Sequence, residues 1–402
     1  MSIRIPDDLV LRDQDTKILL VVLDGLGGLP NVASGRTELE AARTPNLDAL
    51  AERGSLGMLL PVAPGVTPGS GPGHLALFGY DPTEHIVGRG ALSALGVGFE
   101  LTAGDVAVRL NLATLDGSGR ITDRRAGRPS DEEGRRIVAK VDEAVDLKGE
   151  AKFFLIHEKE HRAVLVLRGA GLGAGVADTD PQETGVPPLE PVALEPGSER
   201  TARIVGEFLR QARDVLRPEP KISGFLARGF ARYDGFPSIG ERFGLDGIAV
   251  AKYPMYRGVA RLVGMTVPGT PATDLEAVEL MEREFGRTAL GFIHFKAPDA
   301  RGEDKDFDAK VTAIEAVDAL ISRLAALNPD VIAVTGDHST PAAMGVHSWH
   351  HVPVLLASKW ARPTGSSFSE ANCRLGDLGV LESRHLMSLM LAHAGRLQKF
   401  GA

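Results

Sequence analysis

The sequence predicts an α/β protein whose core contains a mostly parallel β-sheet covered by helices, with a smaller α+β domain inserted into it. Uninterrupted apolar runs, typical of strands buried on both faces, alternate with segments of helical periodicity toward both ends of the chain. This alternation stops near Gly104 and resumes near Pro237. We therefore expect a discontinuous core, residues 1–103 and 236–402, and an inserted domain, residues 104–235.

The core is predicted to open with a strand over residues 18–23, which ends at Asp24-Gly25. Thr44 and Pro45 then suit the N-cap and first position of a helix. Later in the chain, apolar residues recur at helical spacing after a polar loop that contains Asp299. Further strands are predicted over 288–295, 331–334 and 352–357, and a further helix over 307–327.

The middle of the chain has a different pattern. A stretch rich in glycine and proline, residues 169–197, separates its strand candidates from a helical segment at 200–216. Strands are predicted over 106–115, 153–156 and 163–167.

Composition excludes several classes of protein. Among 402 residues, 43% are hydrophobic and 24% are charged, which is typical of a globular chain. The net charge of -8 opposes binding to nucleic acid or to an anionic membrane, so an anionic small substrate requires a local basic cluster. Cys373 is the only cysteine, which excludes an internal disulfide and a cysteine zinc site.

The location of the protein in the cell is predicted from what the sequence lacks. Its first residues contain no long apolar segment of a secretory signal, and no run reaches membrane-spanning length. We expect a cytoplasmic protein without a membrane partner, and the sequence leaves a homo-oligomer open.

Acidic and imidazole side chains follow the predicted strands. Because ligands collect beyond the carboxyl ends of parallel strands, we expect these side chains to meet at one edge of the sheet. Together they suit two divalent cations, with Mn, Zn or Co favoured and Mg tolerated. Each one taken singly also suits a turn, a helix cap or a packed histidine. The residues are Asp24, Asp299, Asp337, His338 and His347.

Ser70 lies in a loop of glycines and prolines, residues 64–74, just before an apolar helical segment. An exposed serine there places a phosphoryl group at helix amides that favour anions, although a plain helix cap is the alternative. No Ser-His-Asp triad is evident, so metal coordination is the available activator of the hydroxyl. Basic residues that suit a phosphate or carboxylate, or else a solvated surface, are Arg162, Arg168, Arg228, Lys252, Arg257 and Arg261.

Several stretches resemble the archaeal-type branch of the cofactor-independent phosphoglycerate mutases, within the alkaline-phosphatase superfamily, and the resemblance extends over nearly the whole chain. The stretch TPGSGPGHLALFGYDP around Ser70 is the most specific, and TGDHST occurs more widely in that superfamily. The others are LLVVLDGLGG, RTPNLDALAERGSLGML, GRGALSALGVGFEL, DRRAGR and HSWHHVPVLL.

The resemblance implies an alkaline-phosphatase-like core interrupted by a substrate-binding domain, and it assigns roles to residues. Ser70 becomes the phosphorylated nucleophile, and it shares one metal with Asp24, Asp337 and His338. Asp299 and His347 serve the other metal. Where the family has a histidine four residues after that aspartate, this chain has Glu303, which we expect to replace the imidazole. Implied or possible substrate contacts are Arg162, Asp178, Asp180, Arg228, Lys252, Arg257 and His74.

The implied reaction interconverts 3-phosphoglycerate and 2-phosphoglycerate in glycolysis and gluconeogenesis, without bisphosphoglycerate. A metal-dependent phosphomonoesterase or another mutase of the same superfamily is the main alternative, and a non-catalytic metal-binding relative is another. A sulfatase is disfavoured because His74 stands where that family has an arginine. A histidine-type mutase is disfavoured because Arg384-His385 lacks the glycine of its signature.

Overall fold

The computed structural model describes residues 5–363 and 365–401. The chain divides into two compact units: unit 1, Met1–Ile86 with Pro237–Ala402, and unit 2, Val87–Phe236. In chain order the strands are β1 (Ile18–Leu23), β2 (Ser55–Leu60), β3 (Asp105–Leu115), β4 (Ile121–Asp123), β5 (Lys152–Lys159), β6 (Arg162–Arg168), β7 (Gly224–Tyr233), β8 (Gly247–Ala251), β9 (Leu290–Phe295), β10 (Val331–Thr335), β11 (Val352–Ser358) and β12 (Gly379–Glu382).

Helices accompany the strands in both units, and short 3-10 segments cover Asp7–Leu9, Phe285–Arg287 and Ser383–His385. The helices are α1 (Glu38–Ala41), α2 (Pro45–Ala51), α3 (Ser70–Leu77), α4 (Arg89–Gly96), α5 (Asp131–Ala144), α6 (Glu199–Leu216), α7 (Ile239–Phe243), α8 (Pro254–Leu262), α9 (Asp274–Glu284), α10 (Ala297–Glu303), α11 (Phe307–Ala326), α12 (Glu370–Leu375) and α13 (Leu386–His393). No helix among the described residues combines the length and apolar character that crossing a membrane requires.

Unit 1 is built on one sheet in which, among the described residues, seven strands follow the order β12-β2-β11-β10-β1-β9-β8. Every neighbouring pair is parallel except the two pairs made by β11. All six residues of β1 are buried, as expected for a central strand covered on both faces. The predicted α/β class with a mostly parallel sheet is confirmed.

The reversed direction of β11 was not predicted, and it has a simple cause. For the next strand to be parallel to β10, the chain must first cross back to the end of the sheet where β10 begins, usually through a helix. The segment between β10 and β11 contains no helix, so it returns at the edge where β10 ends. Residues just after β10 and just before β11 therefore lie at the same edge.

Unit 2 contains an antiparallel sheet in which β3 pairs with β4, β6 and β7, and β6 pairs with β5. Apolar side chains of α5 and α6, among them Ile137 and Phe208, pack with the strands in a buried cluster. Helix α4 contributes Ala94 to a second cluster with Val164 of β6. These helices and strands form an α+β unit, the class that we predicted for the inserted segment.

The first boundary of unit 2 differs from the predicted one. We expected the inserted domain to begin at residue 104, but the division of the structure falls after Ile86 because α4 packs against β3 and β7. Gly90 of α4 contacts the carbonyl group of Ala107 so closely that a Cβ atom would collide with it. The second boundary, after Phe236, is one residue from the predicted position.

Candidate active site

Three buried carboxylates lie at one edge of the sheet of unit 1. Asp24 follows β1 and Asp337 follows β10, while Asp299 comes from the segment after β9. Since β10, β1 and β9 are adjacent and parallel, their carboxyl ends bring these side chains together. We predicted a loop at Asp299, but the residue lies in the first turn of α10. Pro298 fits there because the first turn of a helix does not need its amide hydrogen.

Asp24, Asp337 and His338 form the first candidate metal group. Nε2 of His338 lies 3.3 Å from Oδ1 of Asp24 and 3.3 Å from Oδ2 of Asp337. Oδ1 of Asp24 and Oδ2 of Asp337 are buried and accept no hydrogen bond from any described residue. Buried carboxylate oxygens that accept no hydrogen bond are costly, and a divalent cation bound between them would lower that cost.

The tautomer of His338 is determined by Thr340. The hydroxyl group of Thr340 donates to Oδ1 of Asp299 at 2.5 Å, so it accepts the hydrogen of Nδ1 of His338 at 3.0 Å. The unprotonated Nε2 therefore faces the first group. This arrangement leaves one lone pair of His338 directed toward Asp24 and Asp337.

Asp299 and His347, with His338 nearby, form the second candidate group. Nδ1 of His347 donates to the carbonyl oxygen of Pro68 at 3.0 Å, and Nε2 of His347 lies 3.6 Å from Oδ1 of Asp299. Oε1 of Glu303 lies 3.8 Å from the same Nε2, but the Glu303 side chain is 54% exposed. Glu303 thus lies beside this group without being part of the cluster.

Ser70 is the first residue of α3. We expected an exposed serine, but the residue is half-buried. Its Oγ lies 3.3 Å from Nε2 of His338, which places the hydroxyl group at the first candidate metal group. Gly73 allows this approach, since a Cβ atom there would lie 2.5 Å from the carbonyl oxygen of Asp337. The predicted nucleophile and the predicted ligands are therefore neighbours.

His74, a possible substrate contact, is fully buried next to the first group. Its Nδ1 donates to the carbonyl oxygen of Ser70 at 2.8 Å and lies 3.2 Å from Oδ2 of Asp337. Burial opposes the charged form of His74, but the carboxylates of Asp337 and Asp24 and the carbonyl group of Ser70 together outweigh burial and raise the pKa of the imidazole. His74 thus contacts both Ser70 and Asp337 and helps to hold them in position.

Sequence reasoning missed three side chains around Asp24. The Tyr256 hydroxyl group donates a short hydrogen bond to Oδ2 of Asp24, and Nζ of Lys296 lies 3.2 Å from the same oxygen. His294 of β9 lies 3.1 Å from it through Nε2 and stacks on Tyr256. Burial raises the pKa of Asp24, but these cationic and imidazole neighbours, His294 first, lower it well below its usual value.

Lys296 also contacts the carboxylate of Asp299, so one ammonium group joins ligands of both candidate groups. Tyr256, His294 and Lys296 all contact Oδ2 of Asp24, so Oδ1 of Asp24 remains for a cation. A signal existed in the sequence, because His294 is a polar residue inside an otherwise apolar strand that leads directly to Asp299.

Gly25 shows how tightly these loops approach. Its φ of 63° lies in the left-handed region, and a Cβ atom there would lie 2.7 Å from Oγ1 of Thr340 and 2.8 Å from the side chain of Asp299. Only glycine satisfies both requirements. Asp24 therefore reaches the cluster because the residue that follows it has no side chain.

Lys252 and Arg257, two of the expected substrate contacts, have partners outside the cluster. Nζ of Lys252 lies 2.6 Å from Oδ1 of Asp274. The buried guanidinium of Arg257 donates to the carbonyl oxygens of Ala251 and Lys252, the latter at 2.7 Å. These partners are not members of the two candidate metal groups.

Unit 2 contains a basic cavity of about 160 Å³. Arg228 lies 3.3 Å from Asp180, whose carboxylate also accepts two hydrogen bonds of 2.8 Å from Arg124. Asp178 accepts a hydrogen bond from the amide of Gly229 and lies 3.8 Å from Arg228. The lining residues are Arg89, Arg109, Asn111, Arg124, Arg125, His161, Arg162 and Arg228.

The electrostatics of this cavity favour an anion. Burial, followed by the charges of Arg162, Arg125, Arg128 and Arg109, lowers the pKa of His161 to about 4. His161 is therefore neutral near pH 7, while the surrounding arginines remain charged. Arginines suit bidentate contacts with carboxylate or phosphate groups. Two predicted contacts, Arg162 and Arg228, lie here, whereas Arg89, Arg109, Arg124 and Arg125 were not predicted.

Comparison with known proteins agrees with this geometry. Residues 51–221 match the family model described as 2,3-bisphosphoglycerate-independent phosphoglycerate mutase. A probable 2,3-bisphosphoglycerate-independent phosphoglycerate mutase of Thermus thermophilus is 52% identical over 391 residues, which cover 96% of each chain.

Two solved structures share the fold. A protein from Pyrococcus horikoshii is 32% identical with a TM-score of 0.83, covering 96% of this chain and 99% of its own. The cofactor-independent phosphoglycerate mutase of Thermoplasma acidophilum is 29% identical with a TM-score of 0.73, covering 94% of this chain and 100% of its own. The sequence relative extends over nearly the full length of both chains at an identity that shows common family membership, so this chain belongs to the family of 2,3-bisphosphoglycerate-independent phosphoglycerate mutases.

Proposed function

We propose that this protein interconverts 3-phosphoglycerate and 2-phosphoglycerate, the step of glycolysis and gluconeogenesis, through a phosphoryl group carried by Ser70 and without bisphosphoglycerate. The observation that carries the proposal is the position of Ser70, whose Oγ lies 3.3 Å from Nε2 of His338 beside two unsatisfied carboxylate oxygens. The names of the relatives supply the substrate.

Two divalent cations, Mn, Zn, Co or Mg, fit the donor set of unit 1. Asp24, Asp337, His338 and Ser70 hold one of them, and Asp299 and His347 hold the other. When bound, such cations withdraw charge from phosphoryl and hydroxyl oxygens. The carboxylates and imidazoles are already oriented by Tyr256, Lys296, Thr340 and the carbonyl group of Pro68.

In the proposed reaction, Oγ of Ser70 forms a bond with phosphorus as the bond between phosphorus and the substrate oxygen breaks. The proton of Ser70 replaces the phosphoryl group on the departing hydroxyl. In the return step, the other hydroxyl of the same glycerate takes the phosphoryl group, and Ser70 regains a proton. Ser70 begins α3, so the negative charge on the phosphoryl group is stabilised by helix amides.

We infer that the basic cavity of unit 2 binds the anionic groups of phosphoglycerate. The arginines there exceed the carboxylates that neutralise them, and after burial their positive charge is the next cause of the lowered pKa of His161. Asp180 orients Arg124 and Arg228 through the contacts described above. Direct substrate contacts by Asp178, Asp180, Lys252, Arg257 and His74 remain predictions, to be checked in a crystal structure with bound phosphoglycerate.

The proposal is tested by supplying 3-phosphoglycerate and measuring 2-phosphoglycerate and free phosphate in parallel. We expect 2-phosphoglycerate as the main product in the absence of bisphosphoglycerate, and loss of turnover when a chelator removes metal. Release of mainly free phosphate would replace the mutase with the phosphomonoesterase alternative. A requirement for bisphosphoglycerate would contradict the phosphoserine route.

In the same assay, Arg228→Ala is expected to lower mutase turnover and to raise the fraction of free phosphate. Glycerate that is held less firmly leaves the phosphoserine open to attack by water. Arg232→Ala is the matched control, because Arg232 lies on the same strand but pairs with Asp234 at the surface. Equal product ratios in the two variants would exclude Arg228 from glycerate binding.

We further propose that Glu303 completes the second metal group, as its position beside His347 suggests. Glu303→Gln is expected to weaken binding at one of the two sites and to change the preference between Mn and Zn, because a charged ligand is lost. Calorimetric titration of the metal-free protein measures both effects. Asp304→Asn removes a neighbouring exposed charge as the control, and identical titrations for both variants would reject Glu303 as a ligand.

A further inference from the structure

Lys310 is a lysine of α11 that is fully buried beneath the candidate metal groups. Its ammonium group donates to three backbone carbonyl oxygens: Gly25 at 2.9 Å, Gly27 at 3.1 Å and Thr340 at 2.8 Å. A lysine ammonium has three hydrogens, so each has an acceptor. The side chain is therefore held in one place, far from solvent.

The acceptors belong to the two loops that carry ligands of the first metal group. Gly25 follows Asp24 directly, and its amide donates to Oδ1 of Asp337 at 3.3 Å. Thr340 lies two residues after His338 and bonds to Asp299 and His338 through its hydroxyl group. A shift of either loop relative to Lys310 would move these ligands.

A buried carboxylate lies beside the ammonium group of Lys310. Oε1 of Glu38 lies 3.9 Å from its ammonium group and accepts a hydrogen bond of 2.7 Å from the amide of Ala342, in the loop after β10. Glu370 accepts hydrogen bonds from the amide of Gly28 at 3.2 Å and the hydroxyl of Thr37 at 2.6 Å. The same two loops are thus joined by a network that also contains Lys310.

Stability alone is a poor explanation for this arrangement. Replacing buried charged groups by apolar side chains of similar volume is often neutral or stabilising, because desolvation costs as much as the charges gain. An ammonium group whose three hydrogens all bond to carbonyl groups of two loops instead fixes the positions of those loops relative to each other.

We propose that Lys310 is a positioning residue that fixes the loops after β1 and β10 relative to each other and so sets the affinity of the first group for a divalent cation. This inference rests on the proposed metal site. Lys310 contacts neither the cation nor the substrate, and it acts through Asp24, Asp337 and His338 by way of the backbone at Gly25 and Thr340.

The experiment is a calorimetric titration of Mn²⁺ into the metal-free full-length chain, for the wild type and for Lys310→Met. We expect the variant to bind Mn²⁺ about 10- to 100-fold more weakly, the loss that commonly follows removal of a partner of metal ligands. A thermal melt of each metal-free protein records whether the fold is retained.

Lys17→Met is the matched control. Nζ of Lys17 also donates to two backbone carbonyl oxygens, of Gly286 and Thr288, each at 2.9 Å. Lys17 precedes β1 whereas Asp24 follows it, so the two ends lie about 20 Å apart at the usual rise of a strand. We expect this variant to lose stability and to keep the wild-type affinity for Mn²⁺.

The outcomes separate the two hypotheses. A wild-type protein that binds no Mn²⁺, Zn²⁺, Co²⁺ or Mg²⁺ would overturn the metal site itself. A wild type that binds Mn²⁺, together with a folded Lys310→Met of equal affinity, would overturn the role of Lys310. If Lys310→Met does not fold, Lys310→Gln, which keeps a donor but loses the charge, is titrated instead, and wild-type affinity there also contradicts the proposal.

Discussion

Ser70→Ala is expected to abolish mutase turnover while the protein remains folded. The hydroxyl is the only group of this side chain that reaches His338, and the residue is half-buried at the start of α3, so its removal costs little packing. Loss of an essential serine nucleophile costs about 10⁶-fold in a well-dissected serine protease. We expect a loss of several orders of magnitude in the coupled assay.

A second measurement distinguishes the chemistry from a general loss of activity. Mass spectrometry of protein quenched during turnover is expected to detect a phosphoryl group on the peptide containing Ser70, and none in the variant. Ser118→Ala is the control, because Ser118 lies in an exposed turn of unit 2. Substantial mutase activity in Ser70→Ala would exclude the phosphoserine route.

His338→Ala is expected to remove one of two bound cations and to reduce turnover to background. Its Nε2 is the point on which Asp24, Asp337 and Ser70 converge. Loss of a direct ligand should exceed the about 10- to 100-fold effect of removing a ligand's partner. Metal analysis after dialysis, combined with the mutase assay, measures both quantities.

The complementary variant is His347→Ala, which is expected to lose the other cation and to keep the one beside Ser70. His385→Ala, an exposed histidine in the same unit, is the control for metal content. If His338→Ala retained both cations with native affinity, the tautomer argument built on Thr340 would be wrong.

The candidate metal ligands could be predicted because the end of each buried parallel strand is visible in the sequence as the end of an apolar run. Asp24, Asp337 and Asp299 each follow an apolar run, and parallel topology brings such positions together without detailed knowledge of packing. The reversal of β11 could not be predicted from apolar character, since a buried strand has the same composition in either direction. The reversal did not affect the predicted position of His347. This residue precedes the antiparallel β11, so it lies at the same edge as the residues that follow β10.

The basic cavity illustrates what the sequence could not provide. Its arginines meet through strand register: Arg109 of β3 is opposite Arg228 of β7, and Asn111 is opposite Arg162 of β6. Register depends on packing of whole strands, so single charges in the sequence did not reveal the cluster. Substrate contacts by Lys252 and Arg257 stay predictions, and in this structure the two side chains contact Asp274 and backbone carbonyl groups.

The return of the chain through β11 also has a consequence for the order of assembly. Asp337, His338 and His347 belong to one short excursion between two antiparallel neighbours, whereas Gly25 and Asp337 are 312 positions apart in the sequence. By the logarithmic dependence of loop-closure entropy on length, closing the long loop costs about 3 kcal/mol more than closing the ten-residue separation of Asp337 and His347. A cation bound at the proposed first site would therefore stabilise the contact between distant parts of the chain, whereas the pairing of β10 with β11 closes a short loop and needs no such contribution.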